Sequence, residues 1–573
     1  MKGPAQESPR NSLYNPRFIC TDPPPMLSST RVKIFLAAAF LAVTWFVGLG
    51  HRDLFQTDEG RYAEIPREML VTGDWVTPRL DGLKYFEKPP LQYWATAAAY
   101  TVFGESNGTS RLWTALLGFL GILMTAFAAR RLFDARTAWC AALVLTGSVY
   151  YAVMGHFNTL DMGVSFFMCA SLFGFLLGMH AEDFKARRTF MYLAWAAAAL
   201  ATLSKGLEAV ALPGAVFLLY VLITREWSRF KQLHVVGGLL IYIVITAPWF
   251  LLVSARNPDF ARFFFIHEHF QRFLTTVHHR VEPWWFFIPI LLLGLFIFLP
   301  QTVRAVAALF RRDTWRSEPG RFNTKLFLWL WCGFIFLFFS LSDSKLGSYI
   351  LPIFPALAIL VARELACLRR RDAMLSAFLC MILAVVMLWQ TPELQKHTDK
   401  LPLELYQAFL PWVSIGIGFV LLTSVVGFFL AYFNKVAAGL AVTAIGLFLG
   451  VQGISAGAEA LSPAYSQKSL ADQMAPYVKP DTVLYSLQDY PQSLPFYLGR
   501  TLTVAAYKGE LEFGIGQEPA KWIPDLEAFA AQWTSAGDAV AVMPPETYGA
   551  LQQKGLPMTV IGRDPQHVAV RKP

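Results

Sequence analysis

Long apolar runs recur along this chain more often than any soluble fold could bury them, and they decide its class. Hydrocarbon about 30 Å thick is crossed by a helix of about 20 apolar residues. Runs of this kind fall near residues 33–50, 112–130, 137–154, 162–179, 189–203, 207–224, 233–254, 284–304, 324–341, 346–366, 374–391, 409–432 and 436–456. They predict a polytopic α-helical membrane protein with about thirteen transmembrane helices. Composition agrees, with 55% of 573 residues hydrophobic and 16% charged. The net charge of +9 is therefore read through the placement of Lys and Arg, and no nucleic-acid partner is expected.

Basic loops occur at residues 130–136, 185–188, 225–231, 304–321 and 369–371. The excess of Lys and Arg places them in the cytoplasm. Residues 1–30 are polar and Pro-rich and read as a cytoplasmic tail, followed by a signal anchor. The apolar run 91–103, after Pro89-Pro90, is short for a span. It is read as a helix at the outer interface, started by the prolines. Residues 31–457 then form the membrane domain, with a first outer loop at 51–111. An odd number of spans puts residues 458–573 outside, where alternating strand-like and helix-like segments predict a small α/β domain of structural or docking role. The six cysteines show no metal-ligand spacing, and no structural disulfide is expected.

With this topology the unusual polar clusters gather on one face, although charges beside a bilayer are costly unless they work or face water. In residues 57–69, helical spacing places Asp58, Arg61 and Tyr62 together. Glu64 and Glu68 form a second stripe with Arg61. Such a helix is expected to lie in the interface, aliphatic side down and charges toward a cavity. Asp58 and Asp161 come from separate outer turns and can serve as base, metal ligand or cation binder. Glu87 with His267 or His269 offers oxygen and nitrogen ligands for a divalent metal, zinc or similar. The two histidines diverge on a helix, so one of them would bind. The plainer alternative makes them polar interfacial residues. Arg61, Lys88, Arg262, Arg272 and Lys345 form an outer set of cations that can grip phosphate, with Tyr85 and Tyr349 as hydroxyl donors. Headgroup contact alone accounts less well for those set in tight loops beside Pro and acidic residues.

Four stretches carry a resemblance. They are residues 57–69; residues 73–94, with Phe86-Glu87-Lys88-Pro89-Pro90; Asn158-Thr159-Leu160-Asp161; and Ser344-Lys345-Leu346-Gly347-Ser348-Tyr349 with Ile350-Leu351-Pro352. In this order they resemble the bacterial dolichyl-phosphate-mannose-protein mannosyltransferase-like family, of type C glycosyltransferase fold, and within it the aminoarabinose transferases that modify lipid A. Ser204-Lys205-Gly206-Leu207 departs from the family by lacking Pro after Lys-Gly, which leaves the role of Lys205 open.

The resemblance implies a multi-pass, monomeric enzyme of the bacterial inner membrane, surrounded by membrane lipids. Its active site and C-terminal domain would be periplasmic. It would transfer 4-amino-4-deoxy-L-arabinose from undecaprenyl phosphate to lipid A phosphate groups, with inversion. As catalytic residues, Asp58 would match the family's essential first-loop acid and Asp161 its second-loop acid. Arg61, Lys88, Tyr62 and Tyr85, with Arg262, Arg272, Lys345 and Tyr349, would bind the carrier phosphate and substrate. Glu87 and a loop histidine would hold the metal. A protein O-mannosyltransferase or another polyprenyl-phosphate-sugar transferase shares these motifs. A carrier-lipid transporter, the alternative of another class, would show internal repeats and midplane charges. The one-sided clustering favours an enzyme.

Overall fold

The computed structural model describes residues 28–271, 282–315, 321–366, 368–396 and 401–573. Of the predicted tail, residues 1–27 lie outside the described residues, and residue 28 already opens a helix.

The membrane part begins with α1 (Ser28–Phe46), α2 (Asp58–Thr72), a hairpin of β1 (Arg79–Leu80) and β2 (Leu83–Lys84), and α3 (Leu91–Phe103). It continues through α4 (Asn107–Leu132), α5 (Ala135–Thr146), α6 (Val149–Met154), α7 (Leu160–His180), α8 (Phe184–Lys205), α9 (Glu208–Thr224) and α10 (Val235–Arg256). Every predicted apolar run falls on helix. Among the described residues, eight helices are long and apolar enough to cross a membrane. They number nine if Phe287–Gly294 and Phe296–Leu309, bent by 77°, are one span. Pro300 sits at the start of the second half of that pair, an ordinary cause of such a bend.

Of the remaining runs, those in α5 and α9 lie on shorter apolar helices, and that in α8 on a 22-residue helix that opens with three basic residues. The run at 137–154 divides into α5 and α6, with the Ser148 hydroxyl capping α6 by accepting from the Tyr151 N–H. At Gly147, beside this break, an added Cβ would stand 3.0–3.2 Å from Ala444, Ile297 and Phe298.

The helix expected after Pro89-Pro90 is α3, of 13 residues, about 20 Å long at the usual rise. Its buried residues Gln92, Tyr93, Thr96, Ala97 and Tyr100 follow one helical stripe. It packs on α2, α4 and α8.

The helix α2 departs from expectation. An interfacial helix would expose its charged side, yet Glu59, Glu64, Arg67 and Glu68 are all buried. The reason is the C-terminal domain, which covers α2. Tyr62, Ile65 and Met69 share one core with Leu80 and Leu83 of the hairpin and with Tyr490, Val504, Leu511 and Ile515. At Gly60 an added Cβ would stand 2.6 Å from the Ser493 amide nitrogen, so only glycine allows this approach. The hairpin turns at Asp81-Gly82, with φ of 56° and 73°, as a two-residue type I′ turn requires.

The C-terminal domain is built on six strands: β3 (Val483–Leu487), β4 (Thr503–Ala505), β5 (Trp522–Ile523), β6 (Ala539–Met543), β7 (Thr559–Arg563) and β8 (Val568–Arg571). Their spatial order is β5-β4-β3-β6-β8-β7. The first four run parallel; β8 is antiparallel to both β6 and β7. Both faces of β6 are buried, as a central parallel strand requires. Ala539, Ala541 and Met543 pack with Phe529 and Trp533. Val540 and Val542 pack with Leu470, Met474 and Leu494. The alternation of strand-like and helix-like segments expected for residues 458–573 is present, with helices between most of these strands.

Candidate functional site

Asp58 opens α2, and Asp161 is the second residue of α7. These two acid-bearing turns are tied together by Glu59, a residue with no assigned role in the sequence. Its buried carboxylate accepts from Arg111 Nε at 2.7 Å and Nη2 at 2.9 Å, and pairs with Arg52 Nη1 at 2.8 Å. It also takes the backbone N–H of Phe55 and of Asn158, each at 3.0 Å. Arg111 spends its other donors on the carbonyls of Leu49, Arg52 and Asp53. Burial alone would raise Glu59, but the guanidinium groups of Arg111 and then Arg52 outweigh it and hold the carboxyl at about 2. The sequence did carry a clue: an Arg entering an apolar span needs a carboxylate partner.

On the next turn Arg61 points at residues from two parts of the chain. It donates to the Tyr85 hydroxyl at 3.1 Å and to Gln492 Oε1 at 3.4 Å, and stands 3.5 Å from the Glu510 carboxylate. Gln492 and Glu510 belong to the C-terminal domain, for which no site residue was expected. Burial raises the phenols of Tyr62 and Tyr85 well above their usual range; Asp58 adds to the rise at Tyr62, and Arg61 opposes it at both. Both stay protonated at neutral pH and remain donors. Glu87 lies in the same electrostatic neighbourhood as Arg61, Tyr62 and Tyr85. The predicted common face of Asp58, Arg61 and Tyr62 is therefore present, whereas Glu64 pairs with Arg67 rather than Arg61.

Phe86 anchors the following residues by packing edge-on against Phe260 and Phe513. Lys88 Nζ donates to the Glu87 carbonyl at 2.8 Å and to Glu268 Oε2 at 3.3 Å. Glu268 lies in the π-helical stretch Arg262–Gln271. His267, half-exposed, stacks on Phe263 at 5.1 Å, with Nδ1 3.5 Å from Glu268 Oε1. Arg262 is exposed at the start of this stretch. Arg272 and the side chain of His269 lie outside the described residues. Among the described residues no group of three His, Cys, Asp or Glu is arranged to hold a metal.

Asp161 accepts from Lys205 Nζ at 2.5 Å, and that ammonium stands 4.9 Å from the centre of the Tyr349 ring. Lys205 is thus the counter-ion of the second acid. Lys345 is buried and donates to the Ser342 carbonyl at 2.5 Å, within its own loop. The result is a site with cations and phenols to receive an anion, bordered by two acidic turns that Glu59 holds in register.

Comparison with known proteins follows this geometry. Residues 87–251 match the family profile described as dolichyl-phosphate-mannose-protein mannosyltransferase. Residues 470–572 match that described as aminoarabinose transferase C-terminal domain. The undecaprenyl phosphate-alpha-4-amino-4-deoxy-L-arabinose arabinosyl transferase of Edwardsiella ictaluri is 37% identical over 57% of this chain, a stretch that spans 58% of that relative. The protein so described in Photorhabdus laumondii is 32% identical over 68% of this chain and 71% of its own length. The crystal structure of ArnT from Cupriavidus metallidurans bound to undecaprenyl phosphate superposes with a TM-score of 0.89 at 39% identity, covering 95% of this chain and 98% of that one. Sequence and fold thus agree, and the chain belongs to the undecaprenyl phosphate-aminoarabinose arabinosyl transferase family.

Proposed function

We propose that this protein transfers 4-amino-4-deoxy-L-arabinose from undecaprenyl phosphate to phosphate groups of lipid A at the periplasmic face of the inner membrane, with inversion. The observation that carries the reading is the contact of Arg61 with Tyr85, with Asp58 acting on the neighbouring Tyr62 and Glu87 acting on all three, in a chain similar over nearly its whole length to a relative solved with undecaprenyl phosphate.

An acceptor phosphate is already anionic and needs little deprotonation. Its oxygen attacks the anomeric carbon from the side opposite the carrier. The bond from that carbon to the carrier phosphate breaks, and its electron pair leaves with the phosphate. Arg61 and Lys88 neutralise the departing charge and Tyr85 donates to it, so catalysis comes from positioning and from a prearranged field. Glu510 and Glu268 are the anions with which the carrier phosphate competes for Arg61 and Lys88. Asp58 faces the cationic amino sugar and selects it by charge, while Asp161 is neutralised by Lys205.

The test is mass spectrometry of lipid A from a host lacking its own aminoarabinose transferase, with and without this gene. One added aminoarabinose per modified phosphate, lost in Asp58→Ala and Lys88→Ala while both variants still fold, supports the assignment. Unchanged lipid A, with the protein present and the donor confirmed in the membrane, refutes the acceptor. Wild-type transfer by either variant refutes the site.

A further inference from the structure

Further along α2 a second charged cluster takes no part in the transfer. Glu64, Glu68 and Asp81 are 0%, 4% and 5% exposed, enclosed between α2, the β1–β2 turn and the C-terminal domain. A single cation, Arg67, acts on all three carboxyls. It grips both oxygens of Glu64, at 2.6 Å and 2.7 Å, and donates to the Gly499 carbonyl at 3.0 Å. Glu68 and Asp81 receive only backbone donors: Gly82 N–H to Glu68 Oε2 at 2.9 Å, and Leu502 N–H to Asp81 Oδ1 at 2.6 Å. Their other oxygens, Glu68 Oε1 and Asp81 Oδ2, are buried with no hydrogen-bond partner, and so is the Tyr490 hydroxyl in their field. Tyr100 and Glu105 complete the surroundings on the side of Arg67.

Three buried carboxylates that share one guanidinium do not all persist as ions in such a core, because desolvation and like-charge repulsion both oppose it. A metal does not resolve the conflict, since among the described residues no three acidic or imidazole ligands converge to hold one. A proton does, because a protonated carboxyl becomes a donor to its neighbour.

We propose that the cluster of Glu64, Glu68 and Asp81 binds a shared proton at neutral pH, which together with the Gly82 and Leu502 amides clamps α2 to the β1–β2 turn and, through Leu502 and Gly499, to the C-terminal domain. Burial first, then the charge of Asp81, raises Glu68 to about 7. Burial, opposed by the Leu502 N–H and reinforced by Glu64, raises Asp81 well above the carboxylate range. Burial lifts Glu64 as well, to about 8, against the two bonds from Arg67 and with the Glu68 carboxyl in contact adding to the rise, so all three carboxyls compete for the proton. The proton is taken from water on folding. The clamp is at full strength below the unfolded carboxyl range, near pH 4, and is lost as pH rises through about 7. Because Arg61 and Tyr62 ride on the same helix, the clamp sets how firmly the anion site is seated.

The experiment is melting of the purified full-length protein in detergent from about pH 5 to about pH 8, where each proton retained only by the folded state changes the unfolding constant up to tenfold per pH unit. Glu68→Gln and Asp81→Asn are neutral throughout and are expected to flatten this dependence by one proton. Wild-type slopes in both variants overturn the proposal. Infrared difference spectra of the wild type supply the second reading, which needs no variant: a deuterium-sensitive carbonyl band of a buried carboxylic acid at neutral pH, absent from whichever variant folds. Absence of that band from the wild type overturns the proposal.

Discussion

Replacing Glu59 by Gln tests whether the two acidic turns are held together by buried charge. Gln keeps the shape but removes the anion that Arg111 and Arg52 share, and its amide group turns a donor toward their donors. Holding Glu59 from an ordinary 4.5 down to about 2 is worth about 3 kcal/mol at about 1.4 kcal/mol per tenfold change in proton affinity. The cost of removing one partner from a buried ion pair, about 3–5 kcal/mol, agrees. Because the folded-state value is depressed, this stabilisation is present above pH 4.5 and fades as pH falls toward 2. Wild type and Glu59→Gln therefore differ by about 3 kcal/mol at neutral pH and converge in acid. Denaturant melts in detergent at neutral pH and at about pH 3 read this directly. Transfer activity falls with stability, because Asn158, which leads to Asp161, hangs on the same carboxylate. A variant as stable as wild type at neutral pH, or a deficit that stays constant into acid, refutes the reasoning.

Gly60→Ala brings a methyl against the backbone of Ser493 and Gln492, 2.6–2.8 Å from its nearest atoms. Overpacking of this kind costs about 1–3 kcal/mol, and faster proteolytic release of the C-terminal domain is the readout. Asp161→Ala and Lys205→Ala break one 2.5 Å pair, so the double variant is expected to lose little more activity than the worse single one. A double-mutant cycle should give a coupling of about 0.5–3 kcal/mol, and plain additivity would show that the pair does not act as a unit.

Much of the membrane fold was legible because hydropathy is local: an apolar run is helical wherever it lies. The face shared by Asp58, Arg61 and Tyr62 was legible for the same reason, since helical spacing alone creates it. What escaped depends on long-range pairing. Glu59 and Arg111 are 52 positions apart, and Arg61 and Gln492 are 431 apart; neither pairing leaves a periodicity to read. Helical spacing also let Glu64 face Arg61 or Arg67, and burial under the C-terminal domain selected Arg67. Lys345 was read among the outer cations from its position in the chain, which does not announce that its ammonium donates to the Ser342 carbonyl of its own loop. Lys205 shows the reverse: an unusual motif left its role open, and one 2.5 Å contact supplied it.

Arg61 is where the C-terminal domain changes from a cover into part of the site. Its three partners lie on the first outer loop and on two C-terminal segments, and only a planar fork with several donors can meet all three at once. Lysine keeps the charge and loses the fork. If neutralising the carrier phosphate were the whole task, Arg61→Lys would transfer nearly as well as wild type. If Arg61 also registers the C-terminal domain against α2, the ammonium reaches one partner at a time and the domain cannot keep both its Gln492 hydrogen bond and its Glu510 ion pair. The expected result is a drop in kcat of at least tenfold, about 1.4 kcal/mol in the barrier, with a smaller change in KM, because charge still attracts the donor while geometry no longer favours the transition state. Separate measurement of kcat and KM with purified lipid-linked donor decides it. A change confined to KM reduces Arg61 to a point charge and removes the C-terminal domain from the chemistry.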